Sequence, residues 1–307
     1  MSRVIPLFLR IRWTADREIG YKIPMHRGFA FFMLAVFLPA AGLFASDKID
    51  TELKQSSDDY MREELGVNPI TTPSIQDILK QLEFFRPIPL ELVDSAKRDA
   101  TFNNRLQTAM HFGSLVADGF MLTIAERPKD VQDVGKALIR QARALGVGER
   151  LTKRSKSLLE FSDKGDWIGM RQELVRTQQD VETSMLELRD EEMAHMISLG
   201  GWLRGFQLGA NSTAASYTPN KARILANPEI IGYFLDRLST LHPRLKKTEF
   251  VKTLTERIRG IRNLIAENQG QVLTQDQVAK IRDLADQAEA AAVAKVDEEG
   301  NFEKPKP

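Results

Sequence analysis

Apolar residues recur every three or four positions through most of this chain, and a proline or glycine stands where each run stops. That period lays one apolar stripe along a helix, whereas a half-buried strand would alternate every second residue. Alternating β-branched runs of the strand kind are missing. Residues 101–126 carry Leu106, Met110, Gly113, Ala117, Phe120 and Ile124 at helical spacing, with Pro128 just beyond. Further segments read as helices over 47–65, from Ser74 towards Phe85, over 130–145 and over 149–162. Asp166 can cap a long helix through Trp167, Leu174, Val181 and Met185, running on or kinking towards Gly209, with a loop over 211–219. Asn227 with Pro228, Thr248, and the Thr274/Gln277 capping box open the last three. The spacing therefore predicts an all-α fold of about nine helices. Short links make it a multi-helix bundle or an irregular array of antiparallel helical hairpins.

The N-terminus reads as an address. Gly28 to Ala45 is eighteen residues without a charge, preceded by His26 and Arg27 and followed by Ser46, Asp47 and Lys48. A basic flank, an apolar stretch and small residues before a polar segment make a signal peptide, with Met25 as the alternative start. An uncleaved anchor is the competing reading, since such a stretch spans about 27 Å as a helix. The expected organisation is a leader over 1–45, one helical domain over 46–295, and a charged tail over 296–307 whose composition resists folding.

Charge and cysteine usage exclude several functions. Lys plus Arg is 43 and Asp plus Glu is 42, but residues 1–45 hold six bases and two acids, leaving 37 bases against 40 acids in the remainder. An acidic balance without a basic stripe gives nucleic acid nothing to bind. The sequence has no cysteine, which removes disulfides, thiolate nucleophiles and iron–sulfur ligation.

The segment SLGGWLRGFQLGA places Gly201, Gly205 and Gly209 four residues apart on one helix face. Each glycine costs about 1 kcal/mol relative to alanine inside a helix, so three on one face need a return. Close approach of a second backbone supplies one, and Gly113 with Ala117 offers a matching pair on helix 101–126. These two helices are expected to cross closely. Beside the crossing, Gln107, His111, Ser114 and Asp118 form a polar stripe at helical spacing. Arg204 is the expected partner of Asp118 if the carboxylate is buried, because an unpaired buried charge is expensive. If the crossing opens onto a ligand, Ser114, Asp118, Arg204 and Gly205 would line it.

No catalytic set assembles from the sequence. His111 and Asp118 lie about 10.5 Å apart along a helix, too far for the carboxylate to orient the ring. Glu192 and His195 have the spacing of a di-iron ligand pair, but no second such pair exists. Gly146-Val147-Gly148 lacks the strand and third glycine of a dinucleotide loop. No metal and no cofactor is expected.

The reading is an exported cell-envelope protein, periplasmic in a bacterium or tethered through residues 28–45, that binds or scaffolds a partner without catalysis. A helical small-molecule carrier is the alternative, and it requires a cavity of several hundred cubic ångströms beside Gly205. A hydrolase using His111 or His195 comes last.

Overall fold

The computed structural model describes residues 81–303 apart from 88, 95–97 and 269. The expected leader, the helix over 47–65 and the start of the segment at Ser74 lie outside the described residues. After a 3-10 turn at Glu83–Phe85, the chain forms α1 (Leu90–Asp94), α2 (Arg105–Ile124), α3 (Pro128–Ala144), a 3-10 turn at Gly148–Leu151, α4 (Thr152–Lys164), α5 (Trp167–Glu187) and α6 (Glu191–Ala215). It continues through α7 (Pro219–Leu225), α8 (Pro228–Thr240), α9 (Pro243–Lys246), α10 (Glu249–Glu267) and α11 (Gln275–Ala292). No strand occurs among the described residues; one isolated bridge pairs Val296 with Phe302. No helix among them is long and apolar enough to cross a membrane.

The helix starts follow side-chain chemistry. Asn104 Oδ1 accepts from the Leu106 and Gln107 amides at 3.0 and 3.3 Å. Asp166, Thr218, Asn227 and Thr248 cap α5, α7, α8 and α10, and Thr274 with Gln277 makes a reciprocal capping box on α11. Ends were harder to read. The single helix expected from Asp166 towards Gly209 is two helices, because Arg189 turns left-handed at φ 57°. Its amide donates to Leu186 and that of Asp190 to Met185, at 2.9 and 2.8 Å, which closes α5 in a Schellman motif. Glu126 ends α2 in the same way at φ 57°. Arg189 is not a glycine, so no stop was visible there, whereas Pro128 marks the end of α2.

Two other expectations are corrected. The loop over 211–219 is shorter, since α6 runs to Ala215 and α7 begins at Pro219. The tail does not come free at Val296. Val296 is buried, the Phe250 amide donates to the Gly300 carbonyl at 3.0 Å, and Glu249 accepts from the Phe302 amide at 3.0 Å. Composition suggested disorder, but Val296 and Phe302 supply an apolar anchor that charge counting overlooks.

Neighbours in sequence pack antiparallel. Gly119 lies against Val134, Gln132 bonds Ser162, Arg154 pairs with Asp180, and Ser198 bonds Glu182. Four such steps return the chain so that α6 lies beside α2 in the same direction. Met110 meets Gly200, Gly113 meets Ile197 and Gly201, and Asp118 meets Arg204, so both helices advance together. This parallel contact is the most extensive in the fold. α11 runs against both, with its end near the start of α2: Gln107 Nε2 donates to the Ala292 and Ala294 carbonyls at 3.0 and 2.6 Å. Every residue of α2 from Leu106 to Ile124 is buried, as expected for a helix enclosed on all sides.

The glycine contact is real and includes the expected Gly113 and Gly201, but Gly200 joins them in place of Gly205 and Gly209. A methyl on Gly113 would stand 2.0 Å from the Ile197 carbonyl oxygen, and one on Gly200 2.0 Å from that of Met110. Gly205 and Gly209 instead face Leu82 and Phe85, at 3.4 and 3.0 Å from their would-be Cβ atoms. The four-residue stripe turns off the crossing because the two backbones touch over little more than one turn.

Gly200→Ala is expected to lower unfolding free energy by about 3 kcal/mol or more, since backbone on both sides must separate. Gly232→Ala in α8, where no atom lies within 4 Å of the new methyl, should raise it by about 0.5–1 kcal/mol through helix propensity. Denaturant unfolding of both variants checks the pair.

Candidate functional site

The close approach of α2 and α6 carries the polar stripe of α2 inside. Gln107, His111, Ser114 and Asp118 are all buried rather than solvated. Three of them find partners across helices. Gln107 holds the end of α11, and Ser114 Oγ donates to the Gly200 carbonyl at 3.3 Å. Asp118 Oδ1 accepts from Arg204 Nε at 2.7 Å, with both side chains buried. His111 does not reach across to a neighbouring helix: its ring sits edge-on to Phe102 at 5.2 Å, beside the Arg98 backbone.

Arg204 is the hub. Its remaining nitrogens donate to Gln207 Oε1 at 2.6 Å and to the Leu92 carbonyl at 2.8 Å. Gln207 Nε2 and Asn211 Nδ2 then donate to Asp286 Oδ1 on α11, each at 2.9 Å. A third acid, Glu289, is buried one turn further along α11. Burial pushes its carboxyl up to about 7, against the pull of Arg204 and of the Ser114 hydroxyl and with the help of Asp118 and Asp286. Burial also raises Asp118, opposed by Arg204. The Arg204 guanidinium resists burial because Asp118, Glu289 and Asp286 surround it, and its proton is held more tightly than usual.

Sequence reasoning found Asp118, Arg204 and Ser114, and the structure brings these three together. It missed Glu289 and Asp286, which lie in a helix whose charged positions look solvated; the signal was Glu289 standing between Ala288 and the run Ala290 to Ala292. Gly205 does not join the cluster. It lines a separate cavity with Leu82, Phe85, Trp202 and Ile231 that holds about 40 Å³, room for a few waters at most. That falls well short of the volume the carrier reading required beside this residue.

The other chemical candidates are also occupied. Burial lowers both His111 and His195 to about 4, so each ring is neutral near pH 7. Glu192 accepts from the His242 amide at 2.6 Å. Lys221 Nζ lies 3.2 Å from the hydroxyls of Ser212 and Ser216, a base–hydroxyl pairing that the sequence reading did not foresee. Burial lowers this ammonium. Ser212, however, is 1% exposed and gives its proton to the carbonyls of Phe85 and Pro87. A nucleophile needs its proton handed to the base and its oxygen open to substrate. This group ties the end of α6 to the chain before α1.

The open feature lies elsewhere. A groove of about 450 Å³ runs along α5, lined by Ile168, Arg171, Gln172, Val175, Arg176 and Gln179 with Phe120 and Glu83. Ile168 is 63% exposed. The Arg176 guanidinium is 3.9 Å from Glu173.

Arg204→Met is expected to cost about 3–5 kcal/mol, because Asp118 is left buried without its cation. Combining it with Asp118→Leu should recover at least about 1 kcal/mol relative to the sum of the single changes. A double-mutant cycle measured by urea unfolding gives the coupling, and strict additivity would remove the pair from the architecture.

The chain matches no protein-family model, no curated protein and no solved structure, so its functional reading rests on its own geometry.

Proposed function

We propose that this is an exported cell-envelope protein that works by holding a partner protein rather than by catalysis. The apolar leader at Gly28–Ala45 supports export. The contrast between a filled core and an open surface supports binding: the buried acids, amides and hydroxyls around Arg204 and Lys221 are largely used up on one another, while the α5 groove is open to solvent and partly apolar. That contrast carries the reading.

The groove also sets the chemistry of the partner. Its volume falls within the range of about 300–1,000 Å³ typical of sites that bury a ligand. Ile168 and Val175 offer an apolar floor, and Arg171 with Arg176 outweighs Glu83 in charge. A partner segment presenting an apolar side chain flanked by carboxylates fits both. Arginines at the rim act mainly on encounter rate and choice of partner, and the apolar anchor supplies the affinity.

A photo-crosslinker placed at Ile168 in cells should trap one envelope protein. Arg171→Glu with Arg176→Glu should cut the adduct at least about tenfold at unchanged melting temperature. An adduct unaffected by charge reversal, or none, would set the groove aside. Export is checked separately by fractionation with N-terminal sequencing. The mature chain should begin near Ser46, and an intact N-terminus in the cytosol would refute it.

A further inference from the structure

Glu289 is the one carboxyl in the α2–α6–α11 interface whose local bonding fits a protonated acid better than an anion. Ser114 has a single hydroxyl proton, and that proton is directed at the Gly200 carbonyl at 3.3 Å. A bond donated by Ser114 to Glu289 would favour the ionised acid, so with that proton spent on the Gly200 carbonyl the carboxyl lacks a donor that an anion needs. Glu289 Oε2 has no partner among the described residues, in a residue only 7% exposed. A carboxylate oxygen stripped of water and left without a donor is costly, whereas the carbonyl oxygen of a neutral acid tolerates the same place far better.

The charges around it point the same way. From α2 comes Asp118, from α6 Arg204, and from α11 itself Asp286. The buried face of α10, which packs on the far side of α11, is apolar at Leu254, Ile258, Ile261 and Ile265. One guanidinium thus faces three carboxyls, and its bonds go to Asp118, Gln207 and the Leu92 carbonyl, not to Glu289. With Asp118 taking the cation directly, the surplus proton belongs on Glu289.

We propose that protonated Glu289 is a latch that seats α11 on the α2–α6 pair, and that the helix loosens there when this carboxyl ionises. The end of α11 stays pinned through Gln107, so the release is confined to the turns carrying Glu289 and Asp286. The pH window follows from the shift from 4.5 to about 7. The folded state keeps the proton where the open state has lost it, so closure weakens as pH rises from about 4.5 to 7 and levels off above.

The test is amide hydrogen exchange along α11 at about pH 5 and about pH 8.5, comparing wild type with Glu289→Gln at each pH so that intrinsic exchange cancels. Glutamine copies the shape of the neutral acid but cannot ionise. The opening of α11 in wild type should rise at least about tenfold relative to the variant between the two pH values. Equal pH dependence in both chains would overturn the latch. So would its loss in Asp118→Asn together with its persistence in Glu289→Gln, which would assign the titration to the other acid. Should Glu289→Gln fail to fold, infrared spectra of wild type and Asp118→Asn decide. A protonated-carboxyl band in both that disappears with a midpoint near pH 7 supports the proposal, and its absence in either overturns it.

Discussion

The backbone contact between α2 and α6 is the constraint on which the rest of this fold depends. Gly113 and Gly200 let the helices approach until a single added methyl would overlap a carbonyl oxygen. Helices so close leave no solvent layer between them. Whatever α2 carries on that side must be apolar or must find its partner inside. Gln107, Ser114 and Asp118 take the second course, and their partners come from α6 and α11. The packing decision and the electrostatic one are therefore the same decision.

That burial has an uneven result. Arg204 satisfies Asp118 directly and reaches Asp286 through Gln207, yet the cluster still holds more carboxyls than cations. Replacing a buried ion pair by apolar residues of similar volume is often neutral or stabilising, so the pair is weak evidence for stability in itself. Its geometry is specific instead. Arg204 bonds α2, α6 and the carbonyl of Leu92 in α1 at once, so it fixes how three segments meet. The leftover acid, Glu289, is handled by a change of protonation.

The same economy of polar groups bears on function. Where a catalytic centre would leave a nucleophile open and a base oriented, this core closes Ser212 under carbonyls and leaves His111 against Phe102. The groove along α5 is open to solvent, and the exposed Ile168 lines it together with Arg171 and Arg176.

Much of the fold was legible in the sequence because helix formation and capping are local. Apolar spacing gave α2, α3 and α10, and Asn227, Thr248 and Thr274 marked starts where their side chains do cap the backbone. Even the Asp118–Arg204 pair could be read, since a carboxylate among apolar neighbours needs a cation and Arg204 stood beside the glycines. The helix end at Arg189 could not, because a left-handed residue with a side chain carries no compositional sign, whereas Pro128 marked the end of α2. Nor could the parallel setting of α2 and α6, which emerges only when four antiparallel turns bring the chain back on itself. That return decided which glycines touch, turning Gly205 and Gly209 towards Leu82 and Phe85. It also brought Glu289 from the far end of the chain to Ser114. Sequence determines which stretches are helical and what they must bury; only the meeting of distant helices decides which groups share a low-dielectric space, and so which of them keeps its proton.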